Sequence, residues 1–303
     1  MIEKLVETVN GWLWSPFLIA FIVCCGLYFS IRTRFLQIRH VKEMVRLVTT
    51  GKSSEAGVSS FQALTMSLSG RIGVGNVAGT ATGIAYGGPG AVFWMWVITF
   101  IGAATAYVES TLAQIYKEEQ DGQYRGGPAF YIEKGLGWKW FAVVIAAAII
   151  LSMAVLMPGI QANSIADSFS NAFGIPKLVT GIFVIAVLGF TIFGGVKRIA
   201  KTAEIVVPFM AVGYLLVAIA IIAANIEKVP DVFGLIFKSA FGADQVFGGI
   251  LGSAVMWGVK RGLYANEAGQ GTGATRQRRR KCPTRRSRGL CRHFRSIWTC
   301  SWS

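Results

Sequence analysis

Seven apolar runs, each near the length that crosses a bilayer, constrain this chain more than any other feature. They fall at Leu13–Ser30, Ser59–Tyr86, Ala91–Tyr116, Trp138–Met157, Val179–Phe193, Ile205–Ala224 and Phe247–Ala265. Hydrocarbon about 30 Å thick calls for about 20 residues of helix. A segment in lipid must also satisfy every backbone N–H and C=O internally, which favours helices as the spanning form. An all-α polytopic membrane protein with about seven transmembrane helices is expected. Composition agrees: 53% of the 303 residues are hydrophobic, 15% are charged and the mean hydropathy is +0.52, against roughly 25% charge in a soluble domain. The fourth run is expected to continue past Pro158 through "GIQANSIADSF". Val179–Phe193 is short for the bilayer, so its ends should extend past those limits. Met1–Gly11 is amphipathic and acidic, and Leu13–Ser30 is long enough to remain as a span, so no cleavable signal is expected.

The formal charge of +15 misleads, because ten of the thirty basic residues follow position 273 with no acid among them, leaving the remainder at +5. The five cysteines show neither metal-ligand spacing nor a disulfide framework. With only His40 and His293 present, a histidine-based catalytic triad is not expected, nor is an enzyme or a bound cofactor. Loop cations set the orientation. With the N-terminus outside, the inner loops hold Arg32, Arg34, Arg39, Lys42, Arg46, Lys52, Lys117, Arg125, Lys134, Lys197, Arg198 and Lys201, and the outer segments hold only Lys4, Lys177, Lys228 and Lys238. A multi-pass protein of the bacterial plasma membrane, N-terminus outside, is the expected placement. Phe35–Gly51 carries Phe35, Ile38, Val41, Met44, Val45 and Val48 at helical spacing, which fits a helix on the cytoplasmic membrane surface or a packed connecting helix.

"RIGVGNVAGTATGIAYGGPG", Arg71–Gly90, sits inside the second run. Gly75, Gly79, Gly83 and Gly87 recur every four residues, a bare helix face against which a neighbour can pack closely. That spacing leaves "GRIGVGN" unexplained, since Gly70, Gly73 and Gly75 are too close together for one ridge and Asn76 is costly against lipid. A broken helix resolves the conflict. Unwinding over Ile72–Gly75 frees carbonyls for a small cation, and a half-helix beginning near Asn76 offers N–H groups and a positive dipole end to a carboxylate. Discontinuous helices of this kind build the central sites of many secondary transporters. The glycines fit neither a dinucleotide fingerprint, having one residue too many, nor a phosphate loop at Gly51–Ser54, whose required upstream glycine is Arg46. "AVMWGVKRGLYANEAGQGTG", Ala254–Gly273, admits Lys260, Arg261, Asn266 and Glu267 among five glycines. It is expected to be a second broken helix, with the break at Gly258 and Gly262; the plainer alternative is a span ending near Gly258.

"SLSGRIGVGNVAGTATGIAYGGPGAVFWMW", "MPGIQANSIADSF" and "GVKRGLYANEAGQG" occur in an order that resembles the alanine/glycine:cation symporter family, over about residues 1–273. The resemblance implies a transporter core with a five-plus-five inverted repeat, here incomplete. Residues 1–58 would be an extra leading helix and the cytoplasmic amphipathic helix. Residues 59–273 would be the first repeat plus the first helix of the second. It further implies substrate binding at Gly73, Val74, Gly75, Asn76, Gln161, Trp257 and Gly258, with Asn163 as a polar companion of Gln161. Ile72 and Asn76 would hold Na+, and Asn266, Glu267 and Gly269 would form the signature after the second break. Many members carry threonine where Val74 stands. The implied function is sodium-coupled symport of alanine or glycine, with Na+ as the coupling ion, the lipid bilayer as surroundings and no specific nucleic-acid partner.

From Ala274 the pattern changes to "ATRQRRRKCPTRRSRGLCRHFRSIWTCSWS", with no apolar span. Shifting the reading frame over favourably chosen codons for Arg292–Ser303 yields an apolar, membrane-like segment. Residues 274–303 are therefore expected to be a basic out-of-frame tail on a truncated chain that does not itself transport. The alternative is a membrane-anchored module whose tail binds nucleic acid or anionic lipid.

Overall fold

The computed structural model describes residues 2–42, 65, 68–70, 73–120, 123–242 and 248–273. Ile72, most of the run from Ser59 to Gly70, the part of Phe35–Gly51 beyond residue 42 and the stretch from Ala274 lie outside the described residues.

The leading apolar run forms α2 (Pro16–Arg32), and the amphipathic segment before it forms a separate helix, α1 (Ile2–Leu13), bent by 41° from α2. Ser15 and Pro16 set the bend. The Ser15 hydroxyl accepts a hydrogen bond from the Leu18 N–H at 3.4 Å, and proline suits the first helical position because it has no N–H to leave unsatisfied. The expected helix over Phe35–Gly51 is corrected where it begins. Arg34 and Phe35 take left-handed backbone, with φ of 53° and 48°, ahead of the short α3 (Leu36–Arg39). Leu36 and Gln37 are buried, and the Gln37 side-chain amide donates to Ser30 Oγ at 3.1 Å. This turn folds the segment back against the end of α2.

Two long helices follow, α4 (Val74–Gly87) and α5 (Gly90–Ile115). A small hairpin that the apolar pattern did not announce comes next. Its strands β1 (Glu118–Gln120) and β2 (Gln123–Arg125) pair antiparallel with Glu118 opposite Arg125. After α6 (Pro128–Leu136), the chain runs as one 35-residue helical rod, Lys139–Phe173. The rod comprises α7 (Lys139–Ile150), a π-helical turn (Leu151–Leu156) and α8 (Met157–Phe173). The helix thus passes Pro158 as the sequence led one to expect. Proline cannot donate to the preceding turn, and the widened π turn just before it absorbs the irregularity. Next come α9 (Lys177–Phe193), α10 (Gly195–Ala224), α11 (Val229–Ala240) and α12 (Gly248–Asn266). The fifth apolar run gains two residues at its start and none at its end.

Among the described residues, Gly90–Ile115, Lys139–Phe173 and Arg198–Ala224 are each long and apolar enough to cross a membrane, and the bent pair α1–α2 makes a fourth. On α9 and α10, Phe183, Ile185, Phe190, Phe209 and Leu216 stand exposed. Apolar faces of this extent suit hydrocarbon better than water. The chain is an all-α polytopic membrane protein apart from its small hairpin.

Helix α5 is the centre of the packing and touches α2, α4, α11 and α12. Ile98 and Ala106 of α5 pack with Val259 and Leu263 of α12 and with Ala268 beyond it. The ridge on α4 has the role its spacing suggested. A Cβ on Gly83 would stand 2.5 Å from Met95 Cε and 3.2 Å from Arg261 Cγ, and one on Gly87 would stand 2.8 Å from Trp257 Cβ. Small residues let α4 and α12 approach this closely. Ser253 Oγ then ties the two by donating to the Tyr86 carbonyl at 2.8 Å.

The second break is not where the glycines suggested. Helix α12 runs without interruption through Gly258 and Gly262 to Asn266. These glycines are spacing residues: a Cβ on Gly258 would lie 2.9 Å from the Ala91 carbonyl oxygen, and one on Gly262 3.1 Å from the Met95 carbonyl oxygen. The chain breaks instead at 267–271, where Glu267, Gly269 and Gly271 adopt φ of 52°, 81° and 71°.

Candidate functional site

Three elements converge on a cavity of about 380 Å³. The first is the start of α4. Leu68 and Ser69 are helical, Gly70 turns, and Gly73 is extended at φ −151° and ψ 174° before α4 begins at Val74. The helix is therefore interrupted before Val74, and the expected unwound stretch Ile72–Gly75 is corrected at its end. Val74, Gly75 and Asn76 form the first helical turn. The Gly73 carbonyl accepts from the N–H groups of Asn76 at 3.0 Å and Val77 at 3.2 Å. The N–H groups of Val74 and Gly75, at the first two helical positions, have no partner within the helix, and they carry the positive end of its dipole. Ser69, Gly70, Gly73 and Gly75 line the cavity.

The second element is the rod around its π turn. Met153, Met157, Pro158 and Gln161 face the same space. A Cβ placed on Gly73 would lie 3.9 Å from Gln161 Oε1, so this amide stands beside the interrupted backbone. Asn163 does not share the site. Its Nδ2 donates to Asp167 Oδ2 at 3.0 Å on an exposed face, because residues two apart on a helix point in different directions.

The third element is the end of α12 and the turn after it, which contribute Tyr264, Glu267, Gln270 and Thr272. Glu267 is buried at 5% exposure, and its Oε2 accepts from Thr272 Oγ1 at 3.1 Å. Its left-handed backbone turns the chain so that acid and threonine face one another across the loop. Just before it, fully buried Asn266 donates from Nδ2 to the Thr99 carbonyl at 2.6 Å and fastens the end of α12 to α5. Gly269 supplies a left-handed turn residue and lines neighbouring cavities instead.

Of the residues expected at the site, Gly73, Gly75, Gln161 and Glu267 are brought together. Val74 and Asn76 lie in the adjoining turn, with Asn76 buried. Trp257 and Gly258 do not line the cavity. Trp257 stacks on Tyr86, with ring centroids 5.1 Å apart and planes at 16°, while Lys260 and Arg261 approach its ring at 5.1 and 5.3 Å. It lies two helical turns before Tyr264, about 10 Å along the axis, which accounts for its absence from the cavity. Ile72, expected to hold Na+, is outside the described residues.

Sequence reasoning passed over Tyr264, Met153 and Met157. The Tyr264 hydroxyl donates to Met157 Sδ at 3.6 Å, and Tyr264 lines the cavity together with Gln161. Its ring fills the space that Gly75 leaves open. The available signals were Tyr264's place inside the "GLYANEAGQG" motif and Met157's at the head of "MPGIQANSIADSF"; Met153 resembles an ordinary span residue.

The model of the sodium:alanine symporter family matches residues 1–296, which places this chain in that family. The match runs into the stretch beyond Ala274 that composition sets apart. The chain is 85% identical over 231 residues to the sodium/proton-dependent alanine carrier protein of Bacillus sp. (strain PS3), covering 76% of this chain and 52% of that protein. It is 48% identical over 274 residues to the "Probable sodium/glutamine symporter GlnT" of Bacillus subtilis (strain 168), covering 90% and 57%. It is 41% identical over 277 residues to the sodium/alanine symporter AgcS of Methanococcus maripaludis, covering 89% and 61%. The chain thus spans about half the length of the curated relatives it matches. These likenesses are to transporters. They favour neither the membrane-anchored basic module nor the expectation of an inactive chain.

Proposed function

We propose that this member of the sodium:alanine symporter family binds a small amino acid, alanine or glycine, together with Na+, as the central part of a sodium-coupled importer in the bacterial plasma membrane. The observation that carries the reading is the meeting of an interrupted α4, Gln161 and the buried Glu267 turn around one cavity. A zwitterion needs two opposite electrostatic partners at short range. The N–H groups at the start of α4 suit its carboxylate. Gln161 Oε1 and the Glu267 carboxylate suit its ammonium. Carbonyls of the segment before Val74, with Asn76, are the proposed Na+ ligands. Cation and substrate would then share one piece of backbone, so each would bind better in the other's presence, a reciprocal coupling.

The finer architecture belongs to the same proposal. Residues 59–224 form the first five-helix repeat, 247–273 the first helix of the second, and 1–58 the leading segment. The N-terminus faces outward. Two chain interruptions, before Val74 and at 267–271, then fall at matching places of the two repeats, which supports an inverted-repeat core.

The test is binding of labelled alanine to the purified chain in lipid nanodiscs, with Na+ or with choline. Binding that appears only with Na+ and is lost in Gln161→Ala supports the reading. Binding that ignores Na+, or no binding at all, refutes it.

A further inference from the structure

We infer that Met153 and Met157 form the wall that limits how long a substrate side chain the site accepts. The inference rests on the amino-acid-binding reading given above. Beyond the first cavity lies a second of about 420 Å³. Met153, Met157, Tyr264, Gln270 and Thr272 border both. Past this shared border the second cavity is mostly apolar, walled by Tyr131 and Ile132 of α6 and by Ile145, Ala148 and Ile149 of α7, with Ser152 of the π turn as a polar side chain.

The polar groups of the first cavity fix which end of a ligand lies where. The first turn of α4, Gln161, Glu267 and Thr272 are suited to the charged backbone of an amino acid. Its side chain is left to face the apolar part of the border. Met157 sits one helical turn before Gln161 and so shares its face of the rod, and Met153 lies one turn earlier, within the π-helical segment. The Tyr264 hydroxyl holds Met157 through its contact with Sδ. Of the described residues that border both cavities, Met153 and Met157 are the two that the rod supplies. An unbranched thioether can fill such a gap without strain. Cutting either residue back removes wall atoms and opens the path from a site for a short side chain to a space for a longer one.

The experiment measures sodium-dependent binding of labelled alanine to the chain in nanodiscs and its displacement by unlabelled leucine. It compares wild type with the graded series Met153→Leu, Met153→Val and Met153→Ala, and with the same series at Met157. Grading keeps the question answerable if the smallest side chain prevents folding. The leucine-to-alanine affinity ratio should rise stepwise as the side chain shrinks, reaching at least about tenfold, the scale at which single methylenes are discriminated in apolar pockets. The leucine variants, which keep most of the volume, should keep the wild-type preference. Folded variants that bind alanine with a ratio within about twofold of wild type throughout the series would overturn the inference alone. Failure of the wild-type chain to bind alanine with Na+ would overturn the underlying reading and the inference with it.

Discussion

Tyr264 stands where a side chain on Gly75 would have to be: a Cβ built on Gly75 lies 2.5 Å from Tyr264 Cε1. The helix entering the site and the helix leaving it thus interlock through one ring and one missing methyl. Tyr264 in turn reaches Met157 and lines the cavity beside Gln161. One contact therefore couples all three elements of the cavity.

Gly75→Ala should displace the Tyr264 ring, with an overpacking cost of about 1–3 kcal/mol. Thermal melting of the detergent-solubilised protein should fall, and alanine binding should weaken by about tenfold, the equivalent of about 1.4 kcal/mol. Adding Tyr264→Ala to that variant should recover part of the melting loss, since contacting residues couple. Strict additivity of the two changes would argue against the interlock.

Thr272→Val keeps the side-chain shape but removes the donor to Glu267 Oε2. Leaving a buried hydrogen-bonding oxygen without its partner costs about 1–3 kcal/mol. Sodium-dependent alanine binding should weaken by about tenfold or more, and Thr272→Ser should restore most of it. Wild-type affinity in the valine variant would mean that this bond does not order the site.

Two glycines offer a matched comparison. Gly83→Val drives a branched side chain into Met95 and Arg261, and the α4–α12 packing should fail, with a loss of about 1–3 kcal/mol or more in melting experiments. Gly159→Ala meets nothing within 4 Å. It should be neutral or stabilising by up to about 1 kcal/mol, because alanine favours helix over glycine. Equal effects at the two positions would contradict the ridge.

Orientation is open to labelling. In a background without native cysteines, Glu227→Cys should react with an impermeant thiol reagent on intact cells, and Glu119→Cys should react only after permeabilisation. Both positions are exposed, in the turn before α11 and in the hairpin. The reverse pattern would place the N-terminus inside.

Much of the fold was legible because the solvent imposes it. A bilayer fixes helix length and forbids unpaired backbone, so the apolar runs marked the helices to within a few residues at most ends. Helix α10 begins ten residues before its run, and α1, α6 and α11 lie outside the runs apart from Leu13. The interruption before Val74 was legible for a related reason: Gly70, Gly73 and Gly75 are too dense to serve one packing face. The hairpin at Glu118–Arg125 was not, since it lies between apolar runs and involves only three residues per strand.

Glycine itself marks the limit of what sequence alone determined. Gly258 and Gly262 read like helix breakers yet lie in continuous helix, and the true break falls at Glu267, Gly269 and Gly271. A glycine is required both where backbone must turn left-handed and where another helix leaves no room for Cβ. The letters are the same in the two cases. Only the position of Ala91 and Met95 on α5 decides that Gly258 and Gly262 serve closeness. The same holds for the site. The sequence supplied Gly73, Gly75, Gln161 and Glu267 as chemistry worth gathering. Which side of α12 faces them is decided by its packing on α4 and α5, and that turns Tyr264 inward, while Trp257, on the same face of the helix, lies two turns away along its axis.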